Sequence, residues 1–134
     1  MPMKSMKRTE IVFSLIANVL LMFIVNNLLN WNLAFVLPKF KNVIWAANLA
    51  FGVAILGYLF LLIADGSRKE AVTKITINLF WLNFSYVLYL VFPFDFAAIG
   101  IDWLNPLLKF LIVFSIIAMI IAILIEISKI TGKK

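Results

Sequence analysis

The sequence predicts an all-α membrane protein, a bundle of four transmembrane helices with both termini cytoplasmic. Three observations carry this: an apolar content too high for a soluble domain, four long apolar stretches, and a one-sided distribution of Lys and Arg. The 134-residue chain is 65% hydrophobic and 13% charged, whereas a soluble domain is roughly half apolar and a quarter charged. A body of this size exposes too large a share of its area to hide that surface from water. Lipid is the expected solvent, and residues 1–134 are expected to form a single integral membrane domain.

A helix needs about 20 mostly apolar residues to cross the hydrocarbon core. Residues 11–29, 43–64, 72–92 and 106–127 qualify. Lys4, Lys7 and Arg8 fit the charged region of a signal peptide, but no small-x-small cleavage site follows, so the first stretch is read as a span. Asp65-Gly66 supplies a left-handed end for the second helix. Ser67-Arg68-Lys69-Glu70 has the spacing of a capping box for the third. Asn105-Pro106 reads as an N-cap followed by Pro at the first helical position, and Pro93 ends the third helix.

Orientation follows from the twelve basic residues. Lys4, Lys7, Arg8, Arg68, Lys69, Lys74, Lys129, Lys133 and Lys134 fall on one side, and Lys39, Lys41 and Lys109 on the other. Nine against three places the first side in the cytoplasm of a plasma (inner) membrane protein. Trp31, Trp45 and Trp103 fall at the outer boundary, where amphipathic rings prefer to sit. The net charge of +6 is gathered beside apolar spans, which points to anionic lipid head groups and away from nucleic acid.

No Asp, Glu, Lys or Arg lies deep in a span, so proton-coupled transport is disfavoured. With no Cys and no His, thiol and imidazole chemistry and their metal sites are absent. There is no phosphate-binding Gly loop, no nucleophile elbow and no base beside Ser14, Ser85 or Ser115. No enzyme activity, cofactor or metal is expected.

The spans are polar through amides. Asn18, Asn26 and Asn27 lie in the first, Asn48 in the second, and Asn78 and Asn83 in the third. An amide in hydrocarbon needs a partner, so these side chains are expected to bind neighbouring helices or to line a polar cavity. Asn78, Ser85 and Tyr89 share one stripe of the third span and Thr76, Asn83 and Tyr86 another. Polar groups on two sides predict that this helix is enclosed. The second span carries Ala47, Ala50, Ala54 and Gly57 at three- and four-residue spacing, a face that lets helices approach closely. Its partner is either inside the chain or a second copy. The fourth span, with Ser115, Ala118 and Ala122 as its narrow face, reads as the most lipid-exposed.

The apolar connection at residues 94–105 is expected in the interface or folded back on the bundle. Its Asp95 and Asp102 read as solvated loop charges. Short echoes link 31–35 with 94–98 and Lys39-Phe40 with Lys109-Phe110, at spacing too irregular to establish a repeat. Three classes of function are in play, the last a membrane-perturbing effector such as a holin, which the apolar fourth helix and basic tail permit without favouring. The first is a non-enzymatic interaction or accessory subunit, assembled through helix packing with a membrane-protein partner or copies of itself. The alternative is a homo-oligomeric transporter or channel for a small neutral solute or ion, using Asn18, Asn48, Asn78, Asn83 and Tyr89.

Overall fold

The computed structural model describes residues 7–64 and 66–131, without the side chain of Ser67. The readings placed on Lys4, Asp65, Lys133 and Lys134 lie outside these residues. The chain is all-helical, with α1 at Arg8–Asn27, α2 at Lys41–Ile63, α3 at Ser67–Val91 and α4 at Leu104–Thr131. All four are long and apolar enough to cross a membrane. They pack in chain order, α1 on α2, α2 on α3 and α3 on α4, and no comparable packing joins α1 to α4. The helices therefore form a row that is open between its first and last members.

One end of the row holds the 64–66 connection, with the start of α1 and the end of α4; the other holds the two longer loops. At the first end, Ala64 leaves α2 in extended backbone and Gly66 turns the chain at φ 122°, a conformation L side chains rarely adopt. The cap position of α3 is Gly66, not Ser67, which is the first helical residue. Glu70 gives its N–H to the Gly66 carbonyl (3.1 Å) and pairs its carboxylate with Lys74 (3.2 Å), while the Ser67 half of the expected capping box lies outside the described side chains. Two cations close helix C-termini across the row. The Arg8 guanidinium donates to the Leu62 carbonyl (3.4 Å) and that of Arg68 to the Ile130 carbonyl (3.3 Å), where the helix dipole favours positive charge.

At the loop end, the two long connections clip together. Leu37 N–H donates to Pro93 O and Asp95 N–H to Phe35 O, both at 2.8 Å, around an antiparallel bridge between Val36 and Phe94. Phe35 stacks on Phe96 at 5.2 Å, and Phe94 lies within about 6 Å of the Phe40, Phe92 and Phe96 rings. Buried Pro93 sits at this crossing. The 94–105 connection thus folds onto the other loop. The echoing segments 31–35 and 94–98 meet at Phe35, which stacks on Phe96 and accepts the Asp95 N–H.

Burial corrects one expectation. The most enclosed helix is α2, with Val43, Ala46, Ala47, Ala50 and Ala54 fully buried; α3 is not enclosed. The reason lies in side-chain size: Ala lets neighbours cover α2 from both sides, whereas the larger residues of α3 leave one of its faces outside. The exposed helix is α4, as expected, with Ile112 its one buried residue among those described.

Candidate functional site

The packing face of α2 lies where the sequence puts it. Ala47, Ala50 and Ala54 are completely covered within one chain, so their partner is internal. Gly57 extends the face: a Cβ added there would meet Ile77 Cδ1 and Thr73 Cγ2 of α3, each at 3.0 Å. Phe51 packs edge-on against Trp81 (4.9 Å) and beside Phe84 (6.2 Å). Sequence reasoning missed Val43, Ala46 and this aromatic trio, although Val43 and Ala46 continue the same three- and four-residue spacing.

The predicted amides separate into three groups. Asn26 and Asn48 form a reciprocal pair across α1 and α2, with Nδ2–Oδ1 distances of 2.6 and 3.1 Å. Asn26 was not singled out as the partner of Asn48. Both lie in the half of their helices nearer the loop end, Asn26 one residue before the end of α1 and Asn48 seven residues after the start of α2. The second group is satisfied locally. Asn18, Asn27 and Asn78 donate to the carbonyls of Ser14, Phe23 and Lys74, one turn back in their own helices. Thr73, Thr76 and Ser115 do the same. Asn18 is left with a buried Oδ1 that has no partner among the described residues.

Asn83 is the third group. It is exposed and makes no hydrogen bond among the described residues. It lines a groove of about 390 Å³ between α3 and α4 with Leu79, Leu82, Tyr86, Ile116 and Ile120. Ser85, of the other predicted stripe, is buried and points its hydroxyl at Met119 Sδ of α4 (3.9 Å). Tyr89 is 39% exposed. The stripe of Asn78 and Ser85 therefore turns inward, while Thr76, Asn83 and Tyr86 face out. The narrow face predicted for α4 does not pack, since Ser115 and Ala118 are exposed.

The loop clip has its own polar core. Asn105 is not the N-cap of α4, which begins at Leu104. Its Oδ1 accepts from Phe96 N–H (2.8 Å) and its Nδ2 donates to Asp95 Oδ1 (3.3 Å). Asp95 is not a free loop charge, because it also caps the 3₁₀ turn at Phe96–Ile99 by accepting from Ala97 N–H (3.1 Å). Lys109 lies over the Phe92 ring at 4.9 Å, close enough for a cation–π contact. Beside the clip, Lys41 and Asn32 border an open cavity of about 500 Å³ walled by Leu28, Leu33 and Val36. This arrangement offers hydrogen-bond donors, acceptors and close-packed helix faces. Among the described residues it gathers no pair of acid and base around a nucleophile. No protein-family model, curated protein or solved structure matches the chain.

Proposed function

We propose that the chain is a four-span protein of the plasma membrane, with both termini in the cytoplasm, that works as an interaction or accessory subunit and carries out no reaction. The observation that carries this reading is the open row of helices, which leaves α3 a long uncovered face holding Thr76, Asn83 and Tyr86. In lipid an unpaired amide costs several kcal/mol, so a helix with Asn83 turned outward is suited to a neighbour that answers it. The nine basic residues of the terminal side support the orientation and a contact with anionic head groups.

The transport alternative draws less support. Asn26 and Asn48 are used on each other, and Asn18 and Asn78 on their own helices. A conducting path needs such groups turned toward a common space.

Affinity purification of the full chain at native abundance, in mild detergent, tests the proposal. The expected result is recovery with a stoichiometric membrane partner or as an assembly of several copies. Recovery of single chains alone would overturn it. A cytoplasm-dependent reporter fused after Lys134 is expected to be active; activity of a periplasm-dependent one would overturn the orientation.

A further inference from the structure

We infer that the uncovered face of α3 is a seam for a second copy of this chain, paired in the same orientation about a two-fold axis along the membrane normal, with Asn83 bonded to its counterpart. The inference rests on the reading of the chain as a membrane-spanning assembly component and names the partner of that surface.

The seam is Val72, Thr76, Leu79, Asn83, Tyr86 and Leu90. Its steps alternate between four and three residues, the spacing of the a and d positions of a heptad repeat, which keeps one stripe facing a parallel partner. All six residues are exposed, Leu79 at 50%, Tyr86 at 57% and Leu90 at 62%. Asn83 occupies an a position, where a single Asn fixes register and oligomeric state. The stripe stands between two grooves. One, of about 300 Å³, is shared with Val53, Leu56 and Phe60 of α2, and the other, of about 390 Å³, with Ile116 and Ile120 of α4. A ridge flanked by grooves is the form that helices interdigitate.

The second copy is singled out by polar complementarity at one depth. Thr76 already donates to Val72 O (3.0 Å), and Tyr86 lies near enough to the helix end for its hydroxyl to reach the interface. Asn83 is eight residues before Val91, about 12 Å inside the helix end at 1.5 Å per residue. Lipid tails fill the grooves but cannot answer an amide. Two copies inserted alike carry Asn83 at identical depth. An amide, with its positive Nδ2–H and negative Oδ1, is complementary to itself. The chain already forms such a pair between Asn26 and Asn48.

The chain has no Cys, so single cysteines report contact directly. Leu79→Cys and Leu90→Cys on the seam are compared with Ile117→Cys on α4 and Phe23→Cys on α1, which are similarly exposed. Each full-length variant is expressed at low level and oxidised in its membrane. The expected product is an adduct of twice 15.3 kDa, several-fold more abundant from the seam positions. In the Leu79→Cys background, Asn83→Leu is expected to weaken pairing about three- to thirty-fold, the range for one interhelical hydrogen bond, while Asn83→Gln keeps most of it. Equal yields at all four positions, or no effect of Asn83→Leu beside well-inserted protein, would overturn the inference. A seam adduct of any other mass would also remove the second copy but leave the chain an assembly component. The purification above decides that broader reading separately.

Discussion

Gly52 and Gly57 lie in the same helix, and replacing each by Ala separates backbone propensity from packing. An Ala at either position gains about 0.8–1.0 kcal/mol of helix propensity over Gly. At Gly52 the new methyl meets nothing within 4 Å, so Gly52→Ala is expected to be neutral or stabilising by up to about 1 kcal/mol. At Gly57 it meets Ile77 Cδ1 and Thr73 Cγ2 at 3.0 Å and Ile77 Cγ1 at 3.2 Å. Both neighbours must retreat by a few tenths of an ångström, and overpacking of this kind costs about 1–3 kcal/mol. Subtracting the propensity gain leaves a net loss of about 0–2 kcal/mol for Gly57→Ala, and a difference of about 1–3 kcal/mol between the two variants. The assay is reversible unfolding in mixed micelles, followed by helical circular dichroism. Trimming the obstructing methyl with Ile77→Val should recover part of the loss, though not all, because Thr73 still stands in the way. Equal stability of the two Ala variants would refute the close approach of α2 and α3 at Gly57.

The amides give predictions of opposite sign. Asn26→Leu and Asn48→Leu are each expected to destabilise the α1–α2 hairpin, and a double-mutant cycle in the same unfolding assay should return a coupling of about 0.6–2 kcal/mol; a coupling near zero would dissolve the pair seen at 2.6 and 3.1 Å. Asn18→Leu is expected to be neutral or stabilising, because it removes a buried acceptor that is left without a partner at a cost of about 1–3 kcal/mol; a clear loss of stability would show that Oδ1 is answered. Asn105→Ala leaves the Phe96 N–H unpaired, and amide exchange read by NMR should speed up at residues 95–98 by about tenfold, the equivalent of about 1.4 kcal/mol. Unchanged protection of Phe96 would show that the clip does not depend on Asn105.

The four helices were legible because their signal is local and dense. The expected spans 43–64 and 72–92 overlie α2 at Lys41–Ile63 and α3 at Ser67–Val91. Ala47, Ala50 and Ala54 were legible as a packing face because small side chains matter only where backbones approach. The loop clip was not legible, since pairing between residues 35–37 and 93–95 is distant in sequence and the segments lack strand alternation. Asn105 lies inside α4 and spends its amide on the Phe96 N–H and Asp95 Oδ1, which its sequence position does not suggest. Enclosure of α3 was misjudged for a different reason. Polar residues on two sides predict cover inside the chain. One stripe does turn inward through Ser85, but the other is left outside with Asn83.

That misjudgement bears on how such a chain chooses a neighbour. In water, an exposed apolar face is itself a driving force for association. In lipid it is not, because Leu and Ile side chains resemble the acyl chains they would displace. The wide apolar surfaces of α1 and α4, with Phe13, Phe23, Phe110 and Phe114 exposed, therefore select no partner by themselves. Discrimination falls to the few polar atoms at depth and to close backbone approach. The close approach is already used inside the chain, where α2 buries its Ala face and Gly57 meets α3. The loop clip and the Arg8 and Arg68 contacts tie the two ends of the row. What remains to be answered from outside is the amide of Asn83, on a stripe with the spacing that lets a second helix reach it.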